Sequence, residues 1–344
     1  MTNPGTNLLD ESWPLQDLEE VSACPYCGGT DPVLVYQNVQ DWSFGSAPGR
    51  WSYWGCRHCD ALFLNPRPSA ASIGKAYGSY YTHGAAQAQS FLSSLKQRLR
   101  NEYWYHLFGA SAGPRLGMPR WTGPMFGLLT PWIAEPFGLR QLAALPKGLL
   151  IDVGCGNGDT VKLAGQLGWQ ALGIELDAAA VQAAQAQGLN VVQGGYEDLA
   201  LHEGQADCVI CSHVLEHVHH PLRLLRLLLA TLKPEGVLLL SAPNASSYLR
   251  DKYGENWRGL EAPRHLAIPD AAWLTDWLDS QGFHCRQWPS FDRVMMTESE
   301  RITRRAPATA PCDIKAAKKA ARMTAKPALG KQDMVQIVCT RAPP

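Results

Sequence analysis

Apolar runs and helical periodicity alternate along the chain from about residue 145 to its end. The apolar run at 149–153 predicts a buried parallel strand, and residues 160–167 predict the helix that follows it. Further helices are predicted at 178–187 and 221–232. Strands that alternate with helices indicate an α/β fold with a doubly wound parallel sheet that helices cover on both faces. The ligands of such sheets bind at the carboxyl ends of the strands.

A glycine-rich turn separates the first of these strands from its helix. Gly154, Gly156 and Gly158 stand at alternate positions, and Asp152 precedes them. Glycine has no Cβ, so the turn lets a ligand approach the backbone directly. The dinucleotide fingerprint spaces its last two glycines three apart to seat a pyrophosphate. Because the spacing differs and Asp152 would repel a phosphate, we expect a cationic or hydroxyl-rich ligand rather than NAD.

Four segments after the glycine turn carry further signals in a fixed order. They are residues 171–177, which end in Glu-Leu-Asp; residues 195–199, Gly-Tyr-Glu-Asp-Leu; residues 206–218, which contain His-Val-Leu-Glu-His; and residues 232–241, which begin with Leu-Lys-Pro-Glu-Gly. Together with the turn, they resemble the class I S-adenosylmethionine-dependent methyltransferases. The resemblance implies a Rossmann-like sheet of seven strands, with a final antiparallel strand at 334–340.

The same resemblance implies S-adenosylmethionine as the cofactor. The glycine turn would receive it, Glu175 would hold its ribose hydroxyls, and residues 195–199 would lie beside its adenine. The residues expected to bind the cofactor are Asp152, Gly154, Cys155, Gly156, Gly158, Glu175, Leu176, Tyr196, Glu197, Ser212 and His213.

Two Cys-x-x-Cys pairs near the N-terminus indicate a metal site. Cys24, Cys27, Cys56 and Cys59 place two thiolates on each of two tight loops, which suits tetrahedral structural zinc. A redox pair is the alternative, but that motif normally occurs once, before a helix. The strand-like composition between the pairs favours a small zinc ribbon. A domain this small lacks core area, so metal binding would supply much of its folding energy.

The bulk composition narrows the class of protein. The 344 residues carry 31 Lys plus Arg and 31 Asp plus Glu, so the formal net charge is zero. No overall positive potential therefore attracts nucleic acid or an anionic membrane. No signal peptide and no run of 18 apolar residues is present. Ten cysteines, four of them in the two pairs, suit a reducing compartment with a metal. We therefore expect a cytoplasmic protein, a monomer or a homodimer, without a nucleic acid partner.

Four regions are predicted along the chain: a flexible leader at 1–20, the zinc ribbon at 21–68, a helical linker or cap at 69–145, and the methyltransferase core at 146–344 with a basic insertion at 290–333. Residues 73–83 resemble the tyrosine-bearing lead-in between ribbon and core in a bacterial subgroup. There Tyr77, Tyr80 and Tyr81 could close over the cofactor or touch the substrate, and Tyr81 is a candidate for catalysis. Packing between domains is the alternative for each tyrosine.

Methyl transfer to a hydroxyl or a carbon acid needs a base. His265 and His213 are the candidates, with His265 preferred, and Arg264 is expected to face an anionic group of the acceptor. Glu216 could orient a histidine, whereas His217 is expected to pack.

The resemblance implies a small hydroxylated or carbon-acid acceptor, such as a nucleotide-linked sugar, a glycan or a secondary metabolite. Sugar C-methyltransferases carry further C-terminal sequence that this chain is not expected to have. Two other hypotheses stay open. One is a non-catalytic scaffold that binds S-adenosylmethionine or a partner. The other is RNA methylation through residues 301–331, which hold nine Lys or Arg against one Asp, although a solvated arm is favoured there.

Overall fold

The computed structural model describes residues 8–78, 91–111, 113–122, 137–288, 290, 293–306 and 330–341. None of the helices in these ranges combines the length and the hydropathy that a membrane-spanning helix needs. In chain order, the strands are β1 (Leu18–Glu19), β2 (Pro32–Val39), β3 (Trp51–Cys56), β4 (Leu62–Leu64), β5 (Arg67–Pro68), β6 (Leu149–Val153), β7 (Gln170–Glu175), β8 (Val191–Gln193), β9 (Ala206–Ser212), β10 (Leu232–Pro243), β11 (Ala267–Ile268), β12 (Phe283–Gln287) and β13 (Met334–Arg341). The α-helices are α1 (Phe91–Phe108), α2 (Leu139–Ala144), α3 (Asp159–Gln166), α4 (Ala178–Gln185), α5 (Pro221–Thr231), α6 (Tyr248–Tyr253), α7 (Ala271–Ser280) and α8 (Arg293–Thr303).

A seven-stranded sheet in the order β12-β13-β10-β9-β6-β7-β8 confirms the predicted fold class. β6 pairs in parallel with β7 and β9, and β7 pairs in parallel with β8. β12 and β13 are antiparallel, as predicted for the final strand. The predicted helices of the core are confirmed within a few residues, because their apolar periodicity and the flanking glycines mark them locally.

The chain divides into two compact units. The first unit takes Met1–Tyr81, Ser212–Arg226 and Leu240–Pro344, and the second takes Thr82–Cys211 and Leu227–Leu239. The second unit contains the glycine turn and most of the predicted helical cap. In it, Trp104 of α1 packs with Leu139 of α2 and Leu163 of α3, so these three helices share a core.

In the first unit, a four-stranded antiparallel sheet in the order β11-β4-β3-β2 contains the predicted zinc ribbon. β11 comes from the segment after Pro-Arg-His, far along the chain, and Ala267 pairs with Phe63 of β4. The ribbon is therefore not a separate module, because a strand that the sequence assigns to the core completes its sheet.

The predicted flexible leader needs a correction in its second half. Trp13 is buried and packs against Trp51, with 5.5 Å between the ring centroids. β1 pairs with β5 through Leu18 and Pro68. Burying an indole of this size stabilises the fold by about 2 kcal/mol, which holds residues 13–19 on the ribbon. Within the predicted helical linker, a short 3-10 helix spans Ile73–Tyr77.

The predicted basic insertion is partly a packed helix. α8 buries Met295, Met296 and Ile302 in the first unit. Arg301, which the sequence counts with the basic arm, donates 3.1 Å hydrogen bonds to the carbonyl oxygens of Trp42 and Ser43. This arginine has a structural role. The rest of the basic segment, 307–329, lies outside the described residues.

A disulfide joins the two strands at one end of the large sheet. Cys285 of β12 lies directly opposite Cys339 of β13, with 4.2 Å between the Cα atoms. The sequence analysis, which reads the cysteines as suited to a reducing compartment, does not predict this disulfide, because the strand register that brings the pair together is not visible in the sequence. The cytoplasmic location stays a prediction.

Candidate active site

The four predicted zinc ligands come together at one end of the ribbon sheet. Cys24 and Cys27 lie on the turn before β2, and Cys56 and Cys59 lie on the turn between β3 and β4. The Sγ atoms are 3.5 Å apart for Cys24 and Cys59 and 3.4 Å apart for Cys27 and Cys56, and all four lie within 4.8 Å of one another. Tetrahedral zinc with bonds of about 2.3 Å to sulfur needs sulfur separations of about 3.8 Å. The cluster therefore fits structural Zn²⁺ and leaves no open position for a catalytic one.

The glycine turn has the backbone conformation that its sequence predicts. Gly154, Gly156 and Gly158 have φ angles of 67°, 54° and 79°, in the left-handed region that favours glycine. A Cβ at Gly158 would lie 2.8 Å from Leu189, whereas a Cβ at Gly156 would meet no atom within 4 Å. The turn is thus closed against the core at Gly158 and has open space beside Gly156.

The side chain of Glu175, at the end of β7, links the glycine turn to the loop that follows β7. Its carboxylate accepts hydrogen bonds from the backbone N–H of Gly156 at 2.8 Å and of Asp177 at 2.9 Å. One side chain therefore joins the carboxyl ends of two adjacent parallel strands. That edge is where the ligands of such sheets bind.

Asp152 is buried at the end of β6. Burial, with a smaller contribution from the negative charge of Glu175, raises the pKa of Asp152 to about 7. The two carboxylates make this edge of the sheet suitable for a cationic ligand. Cys155 packs its thiol with Val161 in the core, where burial raises the pKa of the thiol to about 12. Of the predicted cofactor residues, Cys155 thus has its side chain in the core.

The remaining residues predicted to bind the cofactor lie on two loops and one strand end. Leu176 directly follows Glu175, and its side chain is 72% exposed. A Cβ at Gly195 would lie 3.5 Å from Leu176 and 2.7 Å from the Glu197 carboxylate, so these residues are neighbours. Tyr196 is half-buried and begins the 3-10 helix Tyr196–His202, which also contains Glu197. Ser212 ends β9 and His213 follows it, and both belong to the first unit.

Comparison with known proteins identifies this arrangement. Residues 133–287 match the sequence profile of a family described as methyltransferase domain. This segment, somewhat less than half of the chain, is similar to a methyltransferase domain. The order of the seven strands in the large sheet, with the antiparallel final strand, is that of the class I S-adenosylmethionine-dependent type.

Curated relatives of this methyltransferase domain are named ubiquinone biosynthesis O-methyltransferase. The protein of Xanthomonas campestris pv. campestris (strain B100) is 40% identical over 108 residues, which are 29% of this chain and 45% of the relative. The protein of Haemophilus ducreyi is 29% identical over 200 residues, 52% of this chain and 84% of the relative. The chain thus spans less than half the length of the first of these relatives. A solved S-adenosylmethionine-dependent methyltransferase from Archaeoglobus fulgidus covers 69% of this chain and 98% of its own, at 16% identity and a TM-score of 0.40.

Within the first unit, three histidines surround the buried carboxylate of Glu216. His213 follows β9 with a φ of 58°, and its side chain is 53% exposed. Its Nδ1 lies 3.4 Å from Glu216 Oε1. The rings of His217 and His265 are 4.6 Å apart, edge to face. Burial works to raise the pKa of Glu216, but the imidazoles, His213 foremost, outweigh it and hold the pKa below its ordinary value.

His265, the preferred candidate for the base, is buried, with 4% exposure. Its Nδ1–H donates to the carbonyl oxygen of Gly259 at 2.7 Å, and its Nε2 lies 3.5 Å from Glu261 Oε2. Burial lowers the pKa of His265 to about 4 despite the nearby Glu261 carboxylate. This imidazole is neutral at pH 7.

Arg264 is fully buried, contrary to the expectation that it faces an anionic acceptor. Its guanidinium pairs with Asp41 and with Glu261, the latter at 3.2 Å. It also donates to Ser46 Oγ at 3.1 Å and to the Ala76 carbonyl oxygen at 2.9 Å. Its partner Asp41 lies 223 residues away, so the sequence gives no sign that this side chain is buried. It holds the loop before β11 on the ribbon instead.

Sequence reasoning missed Tyr53, Asp41 and Glu261 as parts of this region. Asp41 and Arg264 are 223 residues apart, so no local spacing could pair them. Tyr77, left open between substrate contact and packing, has its hydroxyl 3.1 Å from His217 Nδ1. Tyr81 lies outside the described residues.

Proposed function

We propose that this protein transfers a methyl group from S-adenosylmethionine to a hydroxyl of a small acceptor, with His213 as the general base. The observation that carries the proposal is the pair of His213 and Glu216 at the end of β9 in a methyltransferase domain. A half-exposed imidazole beside a buried carboxylate combines a base with the group that orients it.

The residues at the strand ends fit the cofactor. The open space beside Gly156 gives a ligand access to the turn, and the Glu175 carboxylate, a hydrogen-bond acceptor, suits ribose hydroxyls. Asp152 adds negative charge for a cationic ligand. When bound, S-adenosylmethionine supplies a sulfonium methyl group, which an in-line nucleophile displaces with the electron pair leaving on sulfur. The chain's part is to align the acceptor and to exclude water.

His213 takes the proton of the acceptor hydroxyl at Nε2, because its Nδ1 faces Glu216. Deprotonation raises the nucleophilicity of the acceptor oxygen as its bond to the methyl carbon forms. Its exposure and its ion-pair partner favour His213 over His265, which is buried and donates its only N–H to Gly259. The names of the curated relatives, O-methyltransferases, support oxygen as the nucleophile. A nucleotide-linked sugar or a glycan would offer such a hydroxyl, and a carbon-acid acceptor stays the alternative. A cytoplasmic monomer or homodimer stays our expectation.

The test combines one substitution with labelled cofactor. Wild type, His213→Gln and the exposed control His220→Gln are incubated with methyl-labelled S-adenosylmethionine and fractionated cell extract. We expect label on a small molecule, turnover about 10²- to 10⁴-fold lower in His213→Gln, and full turnover in His220→Gln. Cofactor affinity should be equal in all three. If His213→Gln had the same turnover as wild type, His213 would not be the general base. Label on RNA, or cofactor binding without any labelled product, would favour the nucleic acid or the scaffold hypothesis.

A further inference from the structure

Three potential metal ligands meet in the first unit, away from the four cysteines. Glu216 and His217 belong to the 3-10 helix Leu215–His217, and His265 lies on the loop before β11. One ligand atom from each lies within 4.8 Å of the other two. The Leu266 N–H donates to the Glu216 carbonyl oxygen at 2.7 Å, which fixes the two segments against each other.

The buried Glu216 carboxylate has imidazoles around it but no hydrogen bond of ordinary geometry within the described residues. The residue is 0% exposed, and among the described residues neither of its oxygens accepts a hydrogen bond. His213 approaches one oxygen at 3.4 Å. An ionised carboxylate buried without hydrogen bonds is costly, and a bound cation is one of the few groups that offset this cost.

The imidazoles of the half-buried His217 and the buried His265 are held in the orientation typical of metal ligands. His265 Nδ1 lies 2.7 Å from the Gly259 carbonyl oxygen, and His217 Nδ1 lies 3.1 Å from the Arg264 carbonyl oxygen. A carbonyl oxygen only accepts, so each Nδ1 donates its hydrogen there and Nε2 is the ring atom left to bind a cation. Histidines that bind metals usually donate their other ring N–H to such a carbonyl.

Glu261 is a second carboxylate near the cluster, but other groups already neutralise it. Its Oε2 lies 3.5 Å from His265 Nε2, and its carboxylate pairs with both Arg258 and Arg264. Glu216 is therefore the anionic ligand, and Glu261 is a neighbour that adds negative potential.

We propose that Glu216 and the Nε2 atoms of His217 and His265 bind a divalent cation. Two histidines and one carboxylate suit Mn²⁺, Fe²⁺ or Co²⁺ and leave coordination positions open. The sulfur-rich cysteine cluster selects Zn²⁺ instead. Where the proposed methyl transfer holds, the open positions would attract the oxygen of the acceptor. A hydroxyl, rather than an amine or a carbon acid, is then the favoured nucleophile.

The site is tested by titrating the protein with Mn²⁺ alone. The electron paramagnetic resonance signal of the free Mn²⁺ is measured at each step. Mn²⁺ prefers nitrogen and oxygen ligands, so it reports this site while zinc stays on the cysteines. We expect one Mn²⁺ per chain in wild type and in the control His220→Gln. Glu216→Gln and His217→Gln should each weaken binding at least tenfold, with zinc content and S-adenosylmethionine affinity unchanged as proof of folding. Equal Mn²⁺ binding in these variants, or none in wild type, would overturn the proposal.

A second measurement needs no variant. Pulsed electron paramagnetic resonance of Mn²⁺ bound to wild type should show coupling to imidazole nitrogen, and its absence would also overturn the site. Neither measurement uses an acceptor substrate. Both therefore test the metal site even if the protein transfers no methyl group. Turnover by wild type should rise on addition of Mn²⁺. If bound Mn²⁺ did not change the turnover, the proposed contact between the metal and the acceptor oxygen would be overturned. The proposed methyl transfer would still stand.

Discussion

Tyr53 of the ribbon sheet donates a 2.8 Å hydrogen bond to the carbonyl oxygen of His265, although the two residues are 212 positions apart. The same hydroxyl donates to the carbonyl oxygen of Leu260. Tyr53 is fully buried, and burial, with the nearby Glu261 charge, raises its pKa well above the ordinary value, so the hydroxyl keeps its proton. A residue of the ribbon thus fixes both ends of the loop that carries Glu261, Arg264 and His265.

Tyr53→Phe tests this link. We expect the free energy of unfolding to fall by about 2 kcal/mol, because two buried carbonyl oxygens lose their donor. Turnover should fall as the loop loosens, while S-adenosylmethionine affinity stays unchanged. Urea unfolding and steady-state kinetics measure both effects, with the half-buried Tyr103→Phe as control. Wild-type turnover in Tyr53→Phe would show that the loop does not depend on this hydroxyl.

Removal of zinc should disorder the ribbon sheet. The metal joins the turn before β2 to the turn after β3, and structural zinc sites contribute folding energy outright. We expect Cys56→Ser, or a strong chelator, to reduce zinc from about one per chain and to shift tryptophan emission to the red as Trp13 and Trp51 become exposed. Restoring zinc to the chelated wild type should reverse the shift. Zinc-free protein with an unchanged emission spectrum and unfolding midpoint would contradict a structural role.

Glu175→Gln should weaken S-adenosylmethionine binding at least tenfold. The carboxylate accepts from the backbone N–H of both Gly156 and Asp177, whereas an amide has one acceptor oxygen and would turn its NH₂ towards the other N–H. Isothermal titration calorimetry measures the affinity. The exposed Glu203→Gln is the matched control and should bind as wild type. If both variants bind equally well, Glu175 does not organise the cofactor turn.

The raised pKa of Asp152 predicts a pH-dependent stability of the free protein. The folded state, with a pKa of about 7 against 3.8 for an ordinary Asp, binds the proton more tightly than the unfolded state. Stability from this group is therefore present at low pH and is lost as the pH rises through the folded pKa. Between about pH 5.5 and about pH 8, the loss amounts to about 2 kcal/mol.

Asp152→Asn should remove this slope. Urea unfolding at the two pH values, in wild type and in the variant, gives the difference, and comparison of the two proteins cancels other titrating groups. An identical pH dependence in both would show that Asp152 titrates normally.

The parts of the site that the sequence predicts are local ones. The glycine turn and Glu175 are recognisable because glycine spacing and an acid after an apolar run record the backbone geometry within a few residues. The four cysteines are recognisable for the same reason. Arg264, Tyr53 and Trp13 are different, because their surroundings depend on pairing between segments up to 223 residues apart. Their side-chain types do not indicate those partners, so Arg264 was assigned to the acceptor and Trp13 to a loose leader.

The pairing of β11 with β4 means that the boundary of the matched domain is not a boundary of the folded protein. A recombinant fragment cut to residues 133–287 would lose β4, and with it the hydrogen-bonding partner of Ala267, the Tyr26 hydroxyl that donates to the Ala267 carbonyl oxygen, and the Asp41 that neutralises Arg264. Such a fragment would expose an unpaired strand edge and would deprive the buried Arg264 of one of its two acidic partners, changes that favour aggregation. Expression, domain fusion and engineering of this protein must therefore keep the first 80 residues and the histidine-bearing loop together as one cooperative piece.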